Sequence, residues 1–332
     1  MTKKILIRVD GSKKVGLGHV YNMLTILHHL RNEEIIIVMH KKNNLGSSKF
    51  KEQMYKIKFF QNNSELFKII SSFKPDIIFN DILNTKTRYM KKIRKLTSMI
   101  VNFEDVGEGR AHADLVFNPI FNEKKALTKE FYGGKFACVR DEFRIWTNNI
   151  LRKNVKKILV SFGGTDPTQI TTKIFKVIEN LSLKNIEFII ILGFGFEHKE
   201  EIKKSATQLI KNGFMIKLVE KSDFLAKYIR YADFAIVSNG RTVFEVASMQ
   251  VPILSVAVND REKSHTFVRD ENVGKHIDYN SSLFTKELAS GIECLLEYKN
   301  RKKFKSKLKK LELLCGIDRV INIIDNEFKL RI

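Results

Sequence analysis

Residues 5–24 read ILIRVDGSKKVGLGHVYNML, which is an apolar run, a glycine-containing gap and then a helical pattern. The run ILIRV is rich in β-branched residues and predicts a buried strand. The gap holds Asp10, Gly16, Gly18 and His19, and the apolar spacing after His19 predicts a helix. A strand, a glycine-containing loop and a helix in this order are typical of α/β domains built on parallel sheets.

The same unit recurs in the second half, where residues 156–164 read KKILVSFGG and a helical pattern follows. Strand-like runs alternate with helix-period segments along all 332 residues, a length that is too great for one typical core. We therefore predict an α/β protein with two Rossmann-like domains, residues 1–150 and 151–332. The boundary should fall in the polar stretch between Phe143 and Lys156, and the last helix could pack back on the first domain.

The chain is strongly basic, with 59 Lys and Arg residues, 37 Asp and Glu residues and a formal net charge of +22. Its densest basic run, residues 299–310, reads KNRKKFKSKLKK, in which Phe304 and Leu308 have helix spacing. This pattern favours the solvated face of a helix over a nucleic-acid site, and no nucleic-acid recognition motif occurs. Attraction to an anionic substrate, or a peripheral contact with a membrane surface, stays open.

The three cysteines, Cys138, Cys294 and Cys315, are far apart and lack metal-binding spacing. Neither a disulfide framework nor a structural zinc is predicted. No apolar run reaches the roughly 18 residues that span a membrane, and the N-terminal residues predict a strand rather than a signal peptide. We expect a soluble, cytoplasmic protein.

Three loops follow buried strands, and ligands of open parallel sheets bind beside the carboxyl ends of the strands. In the first loop, Gly16 and Gly18 allow close approach of the backbone, and the next helix offers free N–H groups to an anion. His19 lies at this helix N-terminus, where the dipole favours the neutral imidazole that can accept a proton. His19 could equally hydrogen-bond neighbouring backbone, and Asp10 could be a catalytic group or only a turn former.

The second loop, residues 161–167, reads SFGGTDP. Its paired glycines, Gly163 and Gly164, suit close approach to a phosphate or a sugar, whereas Asp166 and Pro167 are typical of a helix cap. The chain contains neither the dinucleotide-binding pattern GxGxxG nor the phosphate loop GxxxxGK[ST].

The third loop, residues 238–245, reads SNGRTVFE and opens a helix. Arg241 at the helix N-terminus could form charge-assisted hydrogen bonds with a diphosphate. Thr242 and Glu245 have the spacing of a capping box, which requires no ligand. A purely structural role for Glu245 is therefore also open.

Three segments carry a family resemblance: RVDGS and GLGH within residues 8–19, VSFGGTDP at 160–167, and ADFAIVSNGRTVFEVASMQVPILSV at 232–256. They resemble the UDP-sugar hydrolases of the pseudaminic acid pathway and the related spore-coat polysaccharide proteins. The wider group is the glycosyltransferases with the GT-B fold, in which two Rossmann-like domains face each other across a ligand cleft. The resemblance extends to about residue 280.

The resemblance implies that UDP lies between the domains and is held mainly by the C-terminal one. Glu245 falls where the superfamily places its ribose-binding glutamate, and His19 corresponds to the histidine that activates the attacking water. We take His19 and Asp10 as the predicted catalytic residues. The predicted substrate-binding residues are Gly16, Gly18, Asp81, Gly163, Gly164, Thr165, Asn239, Gly240, Arg241, Thr242 and Glu245. No metal or other cofactor is implied.

The implied reaction is displacement of UDP from the anomeric carbon of a 2,4-diacetamido-2,4,6-trideoxyhexose by water, in nonulosonic-acid or surface-glycan biosynthesis. Two positions depart from the family pattern, since Asn22 stands where an arginine is common and Leu83 where a tyrosine is common. The sugar, and hydrolysis itself, are therefore open. The alternatives are a GT-B glycosyltransferase, in which His19 deprotonates an acceptor hydroxyl, and a non-catalytic nucleotide-sugar-binding module.

Overall fold

The computed structural model describes residues 2–12, 16–121, 129–146, 150–163, 166, 168–193, 195–220, 222 and 224–331. The chain forms two compact units, of which the first consists of Met1–Cys138 with Cys315–Ile332 and the second of Val139–Leu314. The chain enters the second unit a few residues before the stretch in which the sequence predicts the boundary.

The strands of the first unit are β1 Lys4–Val9, β2 Glu34–His40, β3 Lys56–Phe60, β4 Ile77–Asp81, β5 Met99–Phe103, β6 Leu115–Asn118 and β7 Glu130–Tyr132. In the described residues they form one parallel sheet in the order β3-β2-β1-β4-β5-β6-β7. The first helices are α1 Gly18–Leu27, α2 Ser47–Glu52, α3 Asn63–Phe73 and α4 Thr87–Ile93. Short 3-10 helices cover Arg94–Leu96, Glu108–His112 and Gly134–Phe136.

Strand β1 shows why the opening segment is apolar at nearly every position. Ile5, Ile7 and Val9 belong to the core under α1, whereas Leu6 belongs to the core on the opposite face, under α3 and α4. Successive side chains of a strand point to opposite faces, and here helices cover both. The two faces are therefore both apolar, and the polar alternation of a half-exposed strand is missing.

The strands of the second unit are β8 Lys157–Ser161, β9 Glu187–Leu192, β10 Met215–Glu220, β11 Phe234–Ser238, β12 Ile253–Ala257 and β13 Gly274–Asp278. They form a second parallel sheet within the described residues, in the order β10-β9-β8-β11-β12-β13. The helices are α5 Glu142–Ile145, α6 Ile170–Asn180, α7 Lys199–Lys211, α8 Ala226–Ile229, α9 Thr242–Ser248, α10 Asp260–Lys263, α11 Phe267–Asp270, α12 Phe284–Leu296 and α13 Tyr298–Leu308. Within the described residues, no helix is both long enough and apolar enough to cross a membrane.

The last helix, α14 Gly316–Lys329, follows the 3-10 helix Leu313–Cys315 and returns to the first unit. Its buried residues Ile317, Val320 and Ile324 join the core that also contains β1 and α1. The apolar residues recur at helical spacing, so one face of α14 completes that core.

The basic segment forms α13, and Phe304 and Leu308 are buried as their helix spacing predicts. Two of its charged residues are also buried, since Arg301 is 0% and Lys305 is 6% exposed. Arg301 donates hydrogen bonds of 2.8 and 3.0 Å to two backbone carbonyls that precede β8, and burial lowers the pKa of Lys305 to about 8. The prediction of a wholly solvated basic face is therefore wrong at these two positions.

Candidate active site

Each sheet has a switch point, where the order of the strands along the chain reverses direction. The switch points lie between β1 and β4 in the first sheet and between β8 and β11 in the second. At a switch point the connections leave the two strands on opposite sides, which opens a crevice in which ligands of such sheets bind. The loops that leave β1, β8 and β11, and the end of β4, carry the predicted site residues.

At the first switch point, His19 and Asp81 form a buried pair. His19 lies in the first turn of α1 and is 2% exposed, while Asp81 ends β4 and is 0% exposed. Nδ1 of His19 lies 2.5 Å from Oδ1 of Asp81, and Oδ2 accepts a hydrogen bond of 2.7 Å from Nδ2 of Asn22. Since a carboxylate can only accept, Nδ1 carries the ring proton, and Nε2 is the nitrogen that can take up another.

This geometry changes the expected role of Asp81. The sequence predicts that it binds substrate, whereas both of its oxygens contact neighbouring side chains of the same unit. A carboxylate that holds an imidazole in one orientation and tautomer supports general base catalysis by that imidazole. Asn22, one of the two positions that depart from the family pattern, fixes the other side of the carboxylate.

A second carboxylate near His19 is missed by sequence reasoning. Glu104 follows β5 directly, is 3% exposed, and places Oε2 4.0 Å from Nδ1 of His19. Its backbone has a φ of +51°, a left-handed conformation that is uncommon outside glycine. Two carboxylates beside one imidazole stabilise the positive charge that the ring acquires when it accepts a proton.

The other predicted catalytic residue, Asp10, has a different partner. Arg8 donates to both of its carboxylate oxygens, over 2.7 and 2.9 Å, and the guanidinium lies 4.6 Å from the ring centroid of Phe60. A bidentate pair of this kind fixes both side chains and neutralises their charges. The predicted catalytic role of Asp10 thus receives no support from its contacts, which indicate a structural role at the end of β1.

A chain of buried polar side chains fixes the strand ends that carry the two site carboxylates. Tyr89 donates to Asn80 over 2.7 Å, Asn80 to Asn102 over 2.9 Å, and Asn102 to Asp105 over 2.6 Å. Asp105 also accepts from the backbone and the hydroxyl of Thr85, and burial raises the pKa of Tyr89. Asn80 precedes one site carboxylate and Asp105 follows the other, so this satisfied network makes their positions rigid.

The glycines of the first loop are explained in part by the loop's own backbone. A Cβ at Gly11 would lie 2.2 Å from the carbonyl oxygen of Leu45, whose backbone N–H donates to the carbonyl of Gly11. Gly16 has a φ of +81°, and among the described residues no atom would lie within 4 Å of an added Cβ, so its backbone conformation is what disfavours larger residues. Gly18 is the first residue of α1. These positions set the path of the chain into the helix that carries His19.

In the second unit, the loop after β8 is described in part. Gly164, Thr165 and Pro167 lie outside the described residues, while Gly163 follows β8 with a φ of +66°. Asp166 accepts hydrogen bonds from the backbone N–H groups of residues 170 and 171, over 2.9 and 3.0 Å. Asp166 therefore accepts from two N–H groups in the first turn of α6, although Gln169 occupies the cap position. A structural role of this kind is one of the two that the sequence allows.

The loop after β11 is fixed by an anchor that sequence reasoning missed. The side chain of Asn239 donates to the carbonyls of Glu262 and His265 over 2.7 and 2.9 Å, and Nδ1 of His265 donates to the carbonyl of Asn239 over 2.7 Å. Oε2 of Glu262 accepts from the backbone N–H groups of Asn239 and Val258, both over 3.1 Å. Burial raises the pKa of Glu262 to about 7 despite these bonds. The contacts of Asn239 indicate that it shapes the loop around Gly240.

The capping box that the sequence leaves open at α9 does not form. The helix begins at Thr242 with Arg241 at the cap position, and no side chain among the described residues caps it. Oε1 of Glu245 instead contacts Nη2 of Arg140 over 3.1 Å. The carboxylate of Glu245 therefore does not accept the free N–H groups at the start of α9.

Similarity to two known proteins extends over about three quarters of the chain, although no protein-family model matches it. An uncharacterized protein of Methanocaldococcus jannaschii is 30% identical over 278 residues, which cover 78% of this chain and 57% of that protein. The spore coat polysaccharide biosynthesis protein SpsG of Bacillus subtilis is 24% identical over 261 residues, 75% of each chain. The chain thus spans little more than half the length of its archaeal relative. The similarity to SpsG confirms the predicted relation to spore-coat polysaccharide proteins.

Solved structures share the fold over nearly the whole chain. MurG of Acinetobacter baumannii has a TM-score of 0.70 at 16% identity, with 98% of this chain and 99% of that chain covered. The chain has the GT-B fold. MnaA of S. aureus, whose structure contains UDP, has a TM-score of 0.65 at 15% identity, with 99% and 98% covered. These structures confirm the predicted α/β architecture of two domains with parallel sheets.

Proposed function

We propose that the protein is a nucleotide-sugar hydrolase of surface-polysaccharide biosynthesis. In this proposal it releases UDP from a UDP-2,4-diacetamido-2,4,6-trideoxyhexose by attack of water at the anomeric carbon. The observation that carries the proposal is the pair of His19 and Asp81, an imidazole oriented by a fully buried carboxylate at a switch point. UDP in a structure of the same fold supports the nucleotide, and SpsG supports the biosynthetic context. The sugar is the one that the family resemblance implies.

The chemistry requires one base in the first unit. Nε2 of His19 takes a proton from water while the water oxygen bonds to the anomeric carbon. The bond from that carbon to the UDP oxygen breaks, and its electron pair leaves with UDP. Asp81 and Glu104 stabilise the imidazolium that forms, since one lies 2.5 Å and the other 4.0 Å from Nδ1.

We assign the nucleotide to the second unit. Arg241 would contact the diphosphate, Glu245 the ribose, and the loop of Gly163, Gly164 and Thr165 the remaining nucleotide atoms. The pairing of Glu245 with Arg140, in place of a capping box, supports this role because it leaves the carboxylate beside the loop after β11. Carboxylates accept hydrogen bonds from ribose hydroxyls, as in other nucleotide-binding α/β proteins.

The net charge of +22 favours a second candidate, a GT-B glycosyltransferase with an acceptor on an anionic surface. His19 would then take the proton from an acceptor hydroxyl instead of from water. The two functions differ in one observable, because a glycosyltransferase releases UDP at a useful rate only when its acceptor is present.

The test is UDP release from a panel of UDP-sugars without acceptor, by wild type and His19→Asn. His28→Asn is the matched control, since His28 lies at the other end of α1 and contacts Gln53 near the surface. We expect release by wild type and the control, and a loss of at least about 100-fold in His19→Asn. Binding of UDP-sugars without release would refute the hydrolase, and equal release by His19→Asn would refute the base.

A further inference from the structure

The carboxylate of Glu245 is held from one side. Nε and Nη2 of Arg140 both contact Oε1 of Glu245, over 3.2 and 3.1 Å. Among the described residues, Oε2 of Glu245 accepts no hydrogen bond, although the side chain is largely buried. One oxygen is therefore fixed, and the other is left to accept from a ligand.

Arg140 is itself held in place by two further groups. Nη1 lies 2.6 Å from Oε1 of Glu142, and the guanidinium lies 5.0 Å from the ring centroid of Phe143. Oε2 of Glu142 accepts a hydrogen bond of 3.1 Å from the backbone N–H of Ala226, at the start of α8. The planar guanidinium thus has a carboxylate on each of two edges and a ring against it, which fixes its orientation.

These contacts explain why the segment after Cys138 belongs to the second unit. Phe143 is 1% exposed, and α5, which contains it, packs against α9, the helix of Glu245. Arg140 and Glu142 connect α9 to the start of α8 through ion pairs and a hydrogen bond. The orientation of Glu245 is therefore set from outside its own helix, by residues about 100 positions earlier in the chain.

We propose that Arg140 is the positioning residue that prepares Glu245 to bind the ribose hydroxyls of the nucleotide. The inference rests on the proposed function, because it takes the second unit to bind UDP. A glutamate side chain has three rotatable bonds, and a hydroxyl pair is bound well only when the carboxylate is already oriented. Arg140 supplies that orientation through Oε1 and touches no nucleotide atom itself.

The test compares two ligands that differ only in the ribose hydroxyls, UDP and 2′,3′-dideoxyuridine 5′-diphosphate. Calorimetric titration gives both affinities for wild type, Arg140→Met, Glu245→Gln and the double variant. Arg144→Met is the matched control, since Arg144 lies shortly after Arg140, on α5, is more exposed than Arg140, and is 3.9 Å from Asp141. Thermal unfolding of each variant reports whether the fold is kept.

We expect Arg140→Met to lower the affinity for UDP about tenfold and the affinity for the dideoxy ligand by less than about threefold. The double variant should bind UDP no more weakly than Glu245→Gln, because both substitutions remove the same contact. Arg140→Lys should recover only part of the affinity, since lysine keeps the charge and loses the forked geometry.

An equal loss for both ligands would overturn the inference, because Arg140 would then contact the diphosphate or only support the fold. Unchanged UDP binding in Arg140→Met would overturn it as well. If wild type binds neither ligand, the proposed function itself fails, and the inference fails with it. Tight binding of UDP by wild type, with equal losses for the two ligands or no loss at all in Arg140→Met, leaves the proposed function standing and removes only the role of Arg140.

Discussion

Replacing Asp81 with asparagine tests how the fold prepares His19, because the two side chains have nearly the same shape and differ in charge. Nδ1 of His19 donates to Oδ1 of Asp81 over 2.5 Å, and Asn22 donates to Oδ2 over 2.7 Å. An amide at position 81 can turn its NH₂ group toward His19. The ring proton would then move to Nε2, which is the nitrogen that must accept a proton in the reaction.

The expected size of the effect follows from the burial of the pair. A hydrogen bond to a charged group contributes about 1.5–3 kcal/mol, and about 1.4 kcal/mol corresponds to tenfold in rate. Loss of support for the imidazolium alone would slow turnover about 10- to 150-fold. Asp81 is 0% exposed, so water does not screen the bond, and inversion of the tautomer adds to the loss. We expect kcat to fall by at least about 100-fold, with KM within about threefold.

The assay is a steady-state measurement of UDP release, with thermal unfolding as the control for folding. Asp76→Asn is the matched variant, because Asp76 immediately precedes β4 and accepts from the backbone N–H of Lys4 over 2.8 Å, at the opposite end of the strand from Asp81. It should lose some stability and keep kcat. A folded Asp81→Asn protein with more than about a third of the wild-type kcat would refute the orienting role of Asp81.

Three further predictions concern stability. Burial raises the pKa of Glu262 from 4.5 to about 7, so the folded state favours the neutral carboxyl group. The stability that this group contributes is therefore fully present below pH about 4.5 and is lost as pH rises through about 7. Urea unfolding should therefore show Glu262→Gln gaining up to ~3 kcal/mol relative to wild type between pH 4.5 and 8, and a constant difference would contradict the burial of this charge. Gly16→Ala should lower the free energy of unfolding by roughly 1–2 kcal/mol because Gly16 has a positive φ. Gly11→Ala should lower it further, because the new Cβ would lie 2.2 Å from a backbone oxygen. A higher denaturant midpoint for Gly11→Ala than for Gly16→Ala would contradict the loop geometry. Arg301→Met should lower the free energy of unfolding by about 2–4 kcal/mol, because buried carbonyls lose their donors, whereas the exposed Lys302→Met should change it by less than ~0.5 kcal/mol. Equal effects of these two substitutions would mean that Arg301 is solvated.

The fold is predictable from sequence because its signals are local. The apolar run before Asp10, the glycines after it and the helical spacing after His19 each report on a few neighbouring residues, and the unit repeats after residue 156. Strands of a buried parallel sheet are also apolar at nearly every position, whereas half-exposed strands alternate apolar and polar residues. This difference predicts the sheet type. These local signals are enough to place His19 at the carboxyl end of β1.

The partners of the site residues are not predictable in this way, because they come from distant positions. His19 and Asp81 are 62 positions apart, and their contact depends on β4 lying next to β1 in the sheet. The left-handed backbone of Glu104 has no signal in the residue type. Glu245 and Arg140 are 105 positions apart. The capping-box spacing of Thr242 and Glu245 suggests a local partner for Glu245 instead of this distant one.

Composition also misleads where burial is decided by tertiary contacts. The basic run that contains Arg301 predicts a solvated helix face, yet Arg301 is fully buried. It can be buried because its guanidinium donates hydrogen bonds to backbone carbonyls of the segment before β8. Asp10 reads as a site residue because it follows β1, and the neighbouring Arg8 occupies its carboxylate. In both cases the sequence gives the charge, and only the fold supplies the partner.

The most direct test of water activation by His19 is an NMR time course of a UDP-2,4-diacetamido-2,4,6-trideoxyhexose with the wild-type protein and no acceptor. We expect UDP and the free reducing sugar to accumulate in equal amounts, and His19→Asn to stop both. Donor that binds to the protein but stays intact over the same time course would contradict the claim that His19 activates water.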